Sequence, residues 1–350
     1  MLSKNLKYYR LKKNYSKREL ASLCQITPMA ITHYENGERR PTMDILKALA
    51  KALDVRVTDF LAVRNNNLEF QHAEFRKNRS LTVAQQEYVR EAVEEYFERF
   101  YTAVDILGGE VLPEPPMCHM LEISDDVEEN AKRMRFHLGF SLSGPIGNLI
   151  ESLENIGILV FECEIDNDKF SGMNGFVNGR PYVVVNAAMT DERNRSTIAH
   201  ELAHLMFSWP DECSDEDEKR VEGLATSIAE AFLLPAKDAV RELGIRRKSI
   251  TRDMLMVCEE YGISMLLLVK RAEIVGIISK TIAKDFYIKA SQAGWKKNEP
   301  SRVKTPEEPM LFKQLVYRAV SEEEISIQKG AELLRIPFNI VEEQCCIKEV

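Results

Sequence analysis

The chain has 350 residues, of which 45% are hydrophobic and 29% are charged, a composition typical of a globular protein with two or three domains. It contains no apolar run near the roughly 20 residues that a membrane helix requires, and its basic start lacks the apolar stretch of a secretion signal. Its seven cysteines are scattered and odd in number, which indicates reduced thiols. We therefore expect a cytoplasmic protein without membrane contact.

The net charge of −8 is unevenly distributed along the chain. Residues 1–64 carry 13 Lys and Arg against 6 Asp and Glu, so the rest of the chain is strongly acidic. This split predicts one segment that faces an anionic partner and a remainder that does not.

The basic segment has the pattern of a series of short helices. Ser16, with Glu19 three residues later, forms a capping box that begins a second helix, and Thr27 followed by Pro28 begins a third. A glycine ends this third helix, an apolar stripe predicts a fourth, and a short fifth follows. Two short helices joined by a tight turn, the second with small or polar exposed side chains, are typical of a helix-turn-helix.

The stretch "SKRELASLCQITPMAITHYENGERRPTMDILKALAKAL" resembles the DNA-binding domain of the XRE, or Cro/CI repressor-like, family. The resemblance implies that the third helix enters the major groove of a double-stranded DNA operator and that the protein is a homodimer on two half-sites. Lys17 stands where the family often has glutamine, which favours a phosphate or guanine contact. The alternative is a helical interaction module that never touches DNA. The residues assigned to DNA contact by the resemblance are Lys17, Thr27, Pro28, Met29, Thr32, His33, Asn36 and Arg39.

A long connector helix is predicted after this domain. Aromatic and aliphatic residues recur at spacings of three and four between Tyr88 and Tyr101, which predicts an apolar face that packs on the next domain or on a second subunit. The Gly- and Pro-rich stretch at 108–116 then marks a boundary.

The following block predicts the order helix, helix, strand, strand, helix, with the last helix beginning near Thr190. This helix carries His200 and His204 one turn apart, so both imidazoles can bind one metal ion. Glu201 lies about 100° round the helix, where it can take a proton from a water without being a ligand. The arrangement is the HExxH motif of zinc hydrolases.

A zinc site of this kind needs a third protein ligand. Glu222 lies on the next predicted helix, and a loop of the intervening length can return that helix to the first and present the carboxylate. Glu230, on the same helix, is the alternative third ligand.

The stretches "RNRSTIAHELAHLMFSWP" and "VEGLATSIAEAFLLP" resemble the ImmA/IrrE family of zinc metallopeptidases. The resemblance implies that His200, His204 and Glu222 hold Zn2+ and that Glu201 is the general base. It also implies that the substrate is a repressor or antitoxin, itself of the Cro/CI type. The chain departs from the family pattern at five positions that are not ligands and bear on substrate fit: Ser196, Ala203, Ser208, Thr226 and Ile228.

Three further expectations concern the surroundings of this motif. The strand "RPYVVVNA" is expected to border the cleft and to pair at its edge with an extended peptide. Arg193 and Asn186 are candidates for oxyanion contact, with a structural role as the favoured alternative. The acidic segment 211–218 is interpreted as a solvated loop in preference to a metal-recruiting one.

The C-terminal third predicts helices, including a pair around a turn at Tyr261 and Gly262. Residues 311–337 have a second helix-turn-helix-like pattern, but they are acidic, which favours protein contact or closure over a second DNA reader.

The predicted fold class is α+β, mainly α: a five-helix helix-turn-helix domain at 1–64, a helical connector at 65–112, a zincin-like peptidase domain with a small sheet at 113–240, and a C-terminal helical region at 241–350. The resulting hypothesis is a transcriptional regulator with an attached zinc endopeptidase. One alternative is a repressor whose peptidase-like domain is a dimerisation or signal-sensing body without proteolysis. Another is a metal sensor in which zinc occupancy controls DNA binding.

Overall fold

The computed structural model describes residues 1–62, 64–65, 67–72, 81–210, 214–295, 300 and 306–345. Helices dominate this part of the chain and are accompanied by a small sheet, which confirms the α+β, mainly α class. Among the described helices, none combines the length and the apolarity needed to span a bilayer. The five described cysteines are free thiols, and Cys213 and Cys346 lie outside the described residues.

The helices, in chain order, are α1 (Leu2–Lys12), α2 (Lys17–Leu23), α3 (Pro28–Glu35), α4 (Met43–Leu53), a 3-10 helix (Val57–Leu61), α5 (Val83–Ile106), α6 (Val127–His137), α7 (Leu149–Asn155), α8 (Asp191–Met206), α9 (Asp215–Leu233), α10 (Ala236–Leu243), α11 (Met254–Tyr261), α12 (Met265–Ile274), α13 (Lys280–Gln292), α14 (Leu311–Ser321), α15 (Ile327–Leu334) and α16 (Phe338–Cys345). The strands are β1 (Phe70–His72), β2 (Leu121–Glu122), β3 (Leu159–Cys163), β4 (Gly172–Val177), β5 (Arg180–Asn186) and β6 (Phe207–Ser208).

The chain divides into two compact units. The terminal unit comprises the described residues of Met1–Phe70, Glu74–Leu112 and Met310–Val350, and the central unit comprises those of Gln71–Ala73 and Pro113–Pro309. Helices α14 to α16 therefore belong to the same unit as the N-terminal helices. Domain boundaries predicted as consecutive segments of the sequence do not describe such a unit. The boundaries at 64, 112 and 240 stay predictions.

Helices α2 and α3 begin where their capping residues predict. The Ser16 hydroxyl accepts a hydrogen bond from the Glu19 amide at 3.2 Å, and the Glu19 carboxylate accepts one from the Ser16 amide at 2.7 Å, so the capping box is confirmed. Thr27 caps α3 in the same way through the Ala30 amide. Gly37, with φ of +76°, turns the chain out of α3, a conformation that costs glycine little.

The apolar face of α5 packs inside the terminal unit. Val93 and Phe97 are fully buried, and the rings of Tyr96 and Phe100 contact the ring of Phe312 on α14 at centroid distances of 5.4 and 5.7 Å. The aromatic stripe predicted from the sequence is therefore packing surface for the C-terminal helices of the same chain.

A buried ionic cluster joins α5 to α1 and to the end of α15. The Glu95 carboxylate forms ion pairs with Arg99 and Arg335, each with a nitrogen–oxygen distance of 2.7 Å. The Arg335 guanidinium also lies over the rings of Tyr8 and Tyr9, at 4.9 and 5.0 Å from their centroids. Burial opposes ionisation of Glu95, but the charges of Arg99 and Arg335 outweigh it and lower its pKa.

The sheet of the central unit has the order β1-β4-β5-β3, with β5 parallel to β3 and antiparallel to β4. Strand β5 is thus paired on both sides, so the expectation that "RPYVVVNA" offers a free edge to a peptide is wrong. Its near-continuous apolar run, buried along Val183, Val184 and Val185, is the pattern of an interior strand.

Helix α8 packs on β4 and β5, and α9 packs on α8 and α6. Two fully buried arginines bind the carbonyl groups at the end of α9: Arg135 donates to Phe232 O at 2.7 Å, and Arg271 donates to Leu234 O at 3.0 Å. The end of α9 is therefore fixed against the rest of the unit by side-chain donors.

Candidate metal centre and DNA-binding face

Helix α8 begins after Thr190, as predicted, and carries acidic residues in its first turn, where negative charge stabilises a helix. Its apolar residues bury one face, so His200 and His204 project from a helix that is fixed against the sheet. Their Nε2 atoms lie 3.2 Å apart, and their ring centroids 4.7 Å apart. The spacing of four residues thus brings both imidazoles to one point.

Glu222 on α9 reaches the same point. Its Oε2 lies 3.1 Å from His200 Nε2, and its Oε1 lies 3.3 Å from His204 Nε2. One ligand atom from each of the three residues can be chosen so that all lie within 4.8 Å of one another. Within the described ranges, these three residues are the one such group of His, Cys, Asp or Glu side chains.

The donor set fits zinc. Two imidazole nitrogens and one carboxylate are the protein ligands of many catalytic zinc sites, in which water takes the fourth position. Partial burial opposes ionisation of Glu222, but hydrogen bonds from His200 and His204 outweigh it and hold its pKa well below the ordinary range. The carboxylate is therefore present in the ionised form that a metal ligand needs.

Glu230, the alternative third ligand, lies elsewhere on α9. Its Oε1 binds Lys270 Nζ at 2.6 Å, and it is not part of the His200, His204 and Glu222 group. The structure thus places Glu222, the first choice of third ligand, beside the two imidazoles, and it places Glu230 in an ion pair.

Glu201 is 9% exposed and lies beside the two imidazoles on α8. The Nδ2 group of Asn174, on β4, donates a hydrogen bond of 2.7 Å to its Oε2. One carboxylate oxygen is therefore oriented by the sheet, and Glu201 is not one of the three clustered ligands. This arrangement fits a base better than a ligand.

Two further side chains hold the imidazoles. Thr226 Oγ1 donates to the Glu222 carbonyl at 2.8 Å and lies 3.3 Å from His200 Nδ1, where its oxygen can accept a hydrogen bond from a protonated Nδ1. With a metal bound, this acceptor would favour the tautomer of His200 that is protonated on Nδ1, and Nε2 would then be the ligand atom. The Trp209 ring packs on the His204 ring at 5.4 Å, and its Nε1 donates to Ala203 O at 3.1 Å.

Asn174 and Trp209 were not among the predicted site residues, and Thr226 was named only as a departure that bears on substrate fit. The sequence contains an indication that Thr226 lies near the metal centre, because it follows Glu222 by four residues and is therefore on the same face of α9. Trp209 follows the motif closely, but nothing in its sequence position shows that its ring meets His204. The sequence gives no such indication for Asn174, because β4, with the sequence "GMNGFV", is rich in residues that disfavour strands.

The candidate oxyanion residues make structural contacts. Asn186 is fully buried, and its amide bonds the backbone of Ile165 and Phe170 at 3.0 to 3.1 Å. Arg193 donates to Asp168 O at 3.0 Å and to Ser171 Oγ at 3.2 Å. These contacts support the structural alternative for both residues.

The acidic segment 211–218 is only partly described, because residues 211–213 lie outside the described ranges. Ser214 caps α9 by accepting from the Asp217 amide at 3.2 Å. The acidic residues 215–218 form the first turn of α9, so this part of the segment is helix and not loop.

The predicted DNA contacts lie around the exposed side of α3. Ile31 and Tyr34 are buried, whereas Met29 is 62% exposed. Among the other assigned residues, those that are exposed or half-exposed are Lys17, Thr27, Pro28, Thr32, His33, Asn36 and Arg39. The side of α3 that faces solvent is therefore the side that carries residues assigned to DNA contact.

Two acidic side chains organise this face. The buried Glu35 carboxylate is held by Arg10 at 2.5 and 3.0 Å, and Lys17 Nζ lies 3.6 Å from it. At the other end of α3, Glu38 binds the His33 ring and the Asn36 amide. Hydrogen bonds from Asn36 and His33 lower the pKa of Glu38, so it is ionised beside the proposed DNA contacts.

Two family models match these regions. Residues 6–60 match the helix-turn-helix family, and residues 153–273 match the family of IrrE N-terminal-like domains. The second range contains the three clustered ligands, Glu201 and Asn174. Both resemblances inferred from the sequence are thereby confirmed. No curated protein matches the chain.

Proposed function

We propose that this chain, a helix-turn-helix protein fused to an ImmA/IrrE-type peptidase-like domain, is a transcriptional regulator with an attached zinc-dependent endopeptidase. The two family matches give the coarser statement, a domain of DNA-binding regulators and a metallopeptidase-like domain in one chain. The observation that carries the finer proposal is the convergence of His200, His204 and Glu222, with the Glu201 carboxylate oriented beside them.

In the proposed mechanism, His200, His204 and Glu222 hold Zn2+, which when bound polarises a scissile carbonyl and makes water more acidic. Glu201 accepts the proton of the attacking water and later passes it to the leaving amine. Asn174 keeps one oxygen of Glu201 fixed, so that the other oxygen is available for the proton. Thr226 holds the tautomer of His200 that a ligand requires.

The proposed substrate is a repressor or antitoxin of the Cro/CI type, and the proposed partner of the helix-turn-helix domain is operator DNA bound by a homodimer. Reduced cysteines agree with action in the cytoplasm. The alternative is a repressor whose peptidase-like domain senses metal or a signal, or serves dimerisation. Glu201 favours the peptidase, because a zinc scaffold needs the three ligands but not an oriented base.

The test of the peptidase compares wild type with Glu201→Gln and His204→Ala. We expect Glu201→Gln to keep zinc and lose cleavage, and His204→Ala to lose both. Cellular proteins that are shortened when wild type but not Glu201→Gln is expressed identify the substrate. Cleavage retained by Glu201→Gln contradicts the mechanism, and purified protein without bound transition metal contradicts the metal centre.

The test of the DNA-binding role is independent of the peptidase. In a gel shift with DNA from the promoter region of its own gene, we expect wild type to bind and His33→Ala to bind more weakly with unchanged zinc content. The absence of any DNA binding by wild type would remove the regulatory role and leave the peptidase proposal intact.

A further inference from the structure

A cavity of about 510 Å3 lies in the central unit next to the metal centre. It shares a wall with that centre, because the Trp209 ring that packs on His204 also lines the cavity, and Val221, directly before Glu222, lies in its lining. Its lining also includes Glu122, Ile123, Asp125, Arg220 and Leu224.

Apolar side chains form part of the cavity wall. Val221 is buried, and Ile123, Trp209 and Leu224 are half-buried, so their hydrocarbon groups form the walls. Such walls favour the aliphatic part of a side chain over water.

The charged groups of the lining are exposed and mainly acidic. Glu122 and Asp125 contribute two carboxylates, and within the described part of the chain neither forms an ion pair. Arg220 is the one cation of the lining, and its guanidinium lies 3.8 Å from Asp217. The two carboxylates are therefore available to pair with a positive charge brought by a ligand.

The sequence around the cavity has the same sign of charge. Residues 113–240 contain 24 Asp and Glu against 10 Lys and Arg, a net charge of −14, so most of the acidity of the chain is concentrated in the segment that holds the metal centre. A field of this sign attracts cationic polypeptides and speeds their association.

We propose that this cavity binds a lysine or arginine side chain of the protein substrate, at a residue close to the bond that is cleaved. The aliphatic stem packs on Trp209 and the apolar walls, and the cationic group reaches the carboxylates of Glu122 and Asp125. The proposal rests on the proposed peptidase function and adds to it a basic substrate and the pocket that selects it.

The experiment uses the zinc-loaded full-length chain and a peptide library made by digesting a whole proteome, with the cleavage sites read by mass spectrometry. We expect Lys or Arg to be enriched at one position next to the cleaved bond. A matched pair of peptides that differ only in Lys or Glu at this position should differ at least about tenfold in kcat/KM.

The variants separate the pocket from the general charge of the segment. The double exchange Glu122→Gln with Asp125→Asn should lower kcat/KM for the Lys peptide about tenfold and leave a peptide with Leu at that position nearly unchanged. Glu151→Gln removes an exposed carboxylate on α7, outside the cavity, and should leave both peptides unchanged. Asp125→Lys should shift the preference away from basic residues.

The possible failures are distinct. Cleavage without preference for Lys or Arg, or a preference that the double exchange does not reduce, overturns the pocket and leaves the peptidase standing. A zinc-loaded wild type that cleaves no peptide and no cellular protein overturns the proposed function and this inference with it.

Discussion

Asn174 and Glu201 are joined by a hydrogen bond of 2.7 Å, from the side-chain amide of a strand to the carboxylate of the helix that packs on it. The strand β4 therefore does more than cover α8, since it orients the side chain proposed to move the proton. Gly172, two residues earlier, lies so close to α8 and β5 that an added Cβ would meet Val184 O at 2.4 Å and Thr197 Cγ2 at 2.6 Å. The close approach of strand and helix at Gly172 brings Asn174 within reach of Glu201.

Asn174→Ala should lower kcat by about tenfold or more, because a hydrogen bond to a charged group is lost while the zinc ligands stay in place. Zinc content should be unchanged and KM should change little. Asn174→Asp, which sets a second carboxylate against Glu201, should be worse than Asn174→Ala. Equal losses in kcat and zinc content would instead indicate a structural role for Asn174.

Thr226→Val should weaken zinc binding by roughly 10- to 100-fold, since the exchange keeps the shape of the side chain but removes the acceptor for His200 Nδ1. The measurement is competition with a chelating indicator of known affinity. Ser227→Ala is the matched control, because Ser227 makes a similar bond to the carbonyl four residues back, at 2.9 Å, whereas the hydroxyl beside His200 Nδ1 is that of Thr226. Equal effects of both exchanges would contradict a role for Thr226 at the metal centre.

Arg335→Ala should destabilise the terminal unit by about 2 kcal/mol, because Glu95 stays buried with Arg99 as its remaining partner and the contacts with Tyr8 and Tyr9 are lost. Urea unfolding measures this change. Arg318→Ala removes an exposed pair with Glu322 and should cost no more than about 0.5 kcal/mol. A similar small effect for Arg335→Ala would show that the buried cluster contributes little.

The same cluster predicts a pH dependence of stability. The folded protein holds the pKa of Glu95 below its unfolded value. The ionised Glu95 therefore contributes to the free energy of unfolding above the unfolded pKa, and this contribution is lost as pH falls through the folded pKa. Arg335→Ala raises the folded pKa towards the unfolded one. The free energy of unfolding should therefore differ most between wild type and variant near neutral pH and converge in acid, as urea unfolding at several pH values would measure. A difference that stays constant with pH would exclude an ionic contribution.

Lys17→Ala should weaken binding to all DNA sequences about equally and reduce the slope of log affinity against log salt by about one, if Lys17 contacts a phosphate. A loss confined to particular operator bases would instead indicate a guanine contact. Lys132→Ala, in the central unit, is the control and should leave the slope unchanged. An unchanged slope in Lys17→Ala as well would remove Lys17 from the interface.

The metal centre was predictable because its chemistry follows a local rule. Residues four apart on a helix share a face, so His200 and His204 had to converge once α8 formed. Glu222 required only that the next helix return to the first. The helix starts at Ser16 and Thr27 were equally local, since each depends on one side chain and an amide three residues later.

The parts that were missed depend on pairing or packing partners that the pattern of a single segment does not reveal. The pairing of β5 on both sides required β4, whose glycines and asparagine hide a strand that is specified by its partners. The packing of Phe312 on Tyr96 and Phe100 could not be read from the apolar stripe of α5, because a stripe shows that a face is covered but not by which segment.

Glu95 and Arg335 also set an order of events in synthesis. Glu95 emerges from the ribosome before all of residues 113–309, and Arg335 emerges after them. Until then the buried carboxylate lacks one of its two ion-pair partners, and the rings of Tyr8 and Tyr9 lack the Arg335 guanidinium that lies over both of them. The nascent helix-turn-helix segment therefore reaches its mature packing only after the peptidase-like region has left the tunnel and can already have folded.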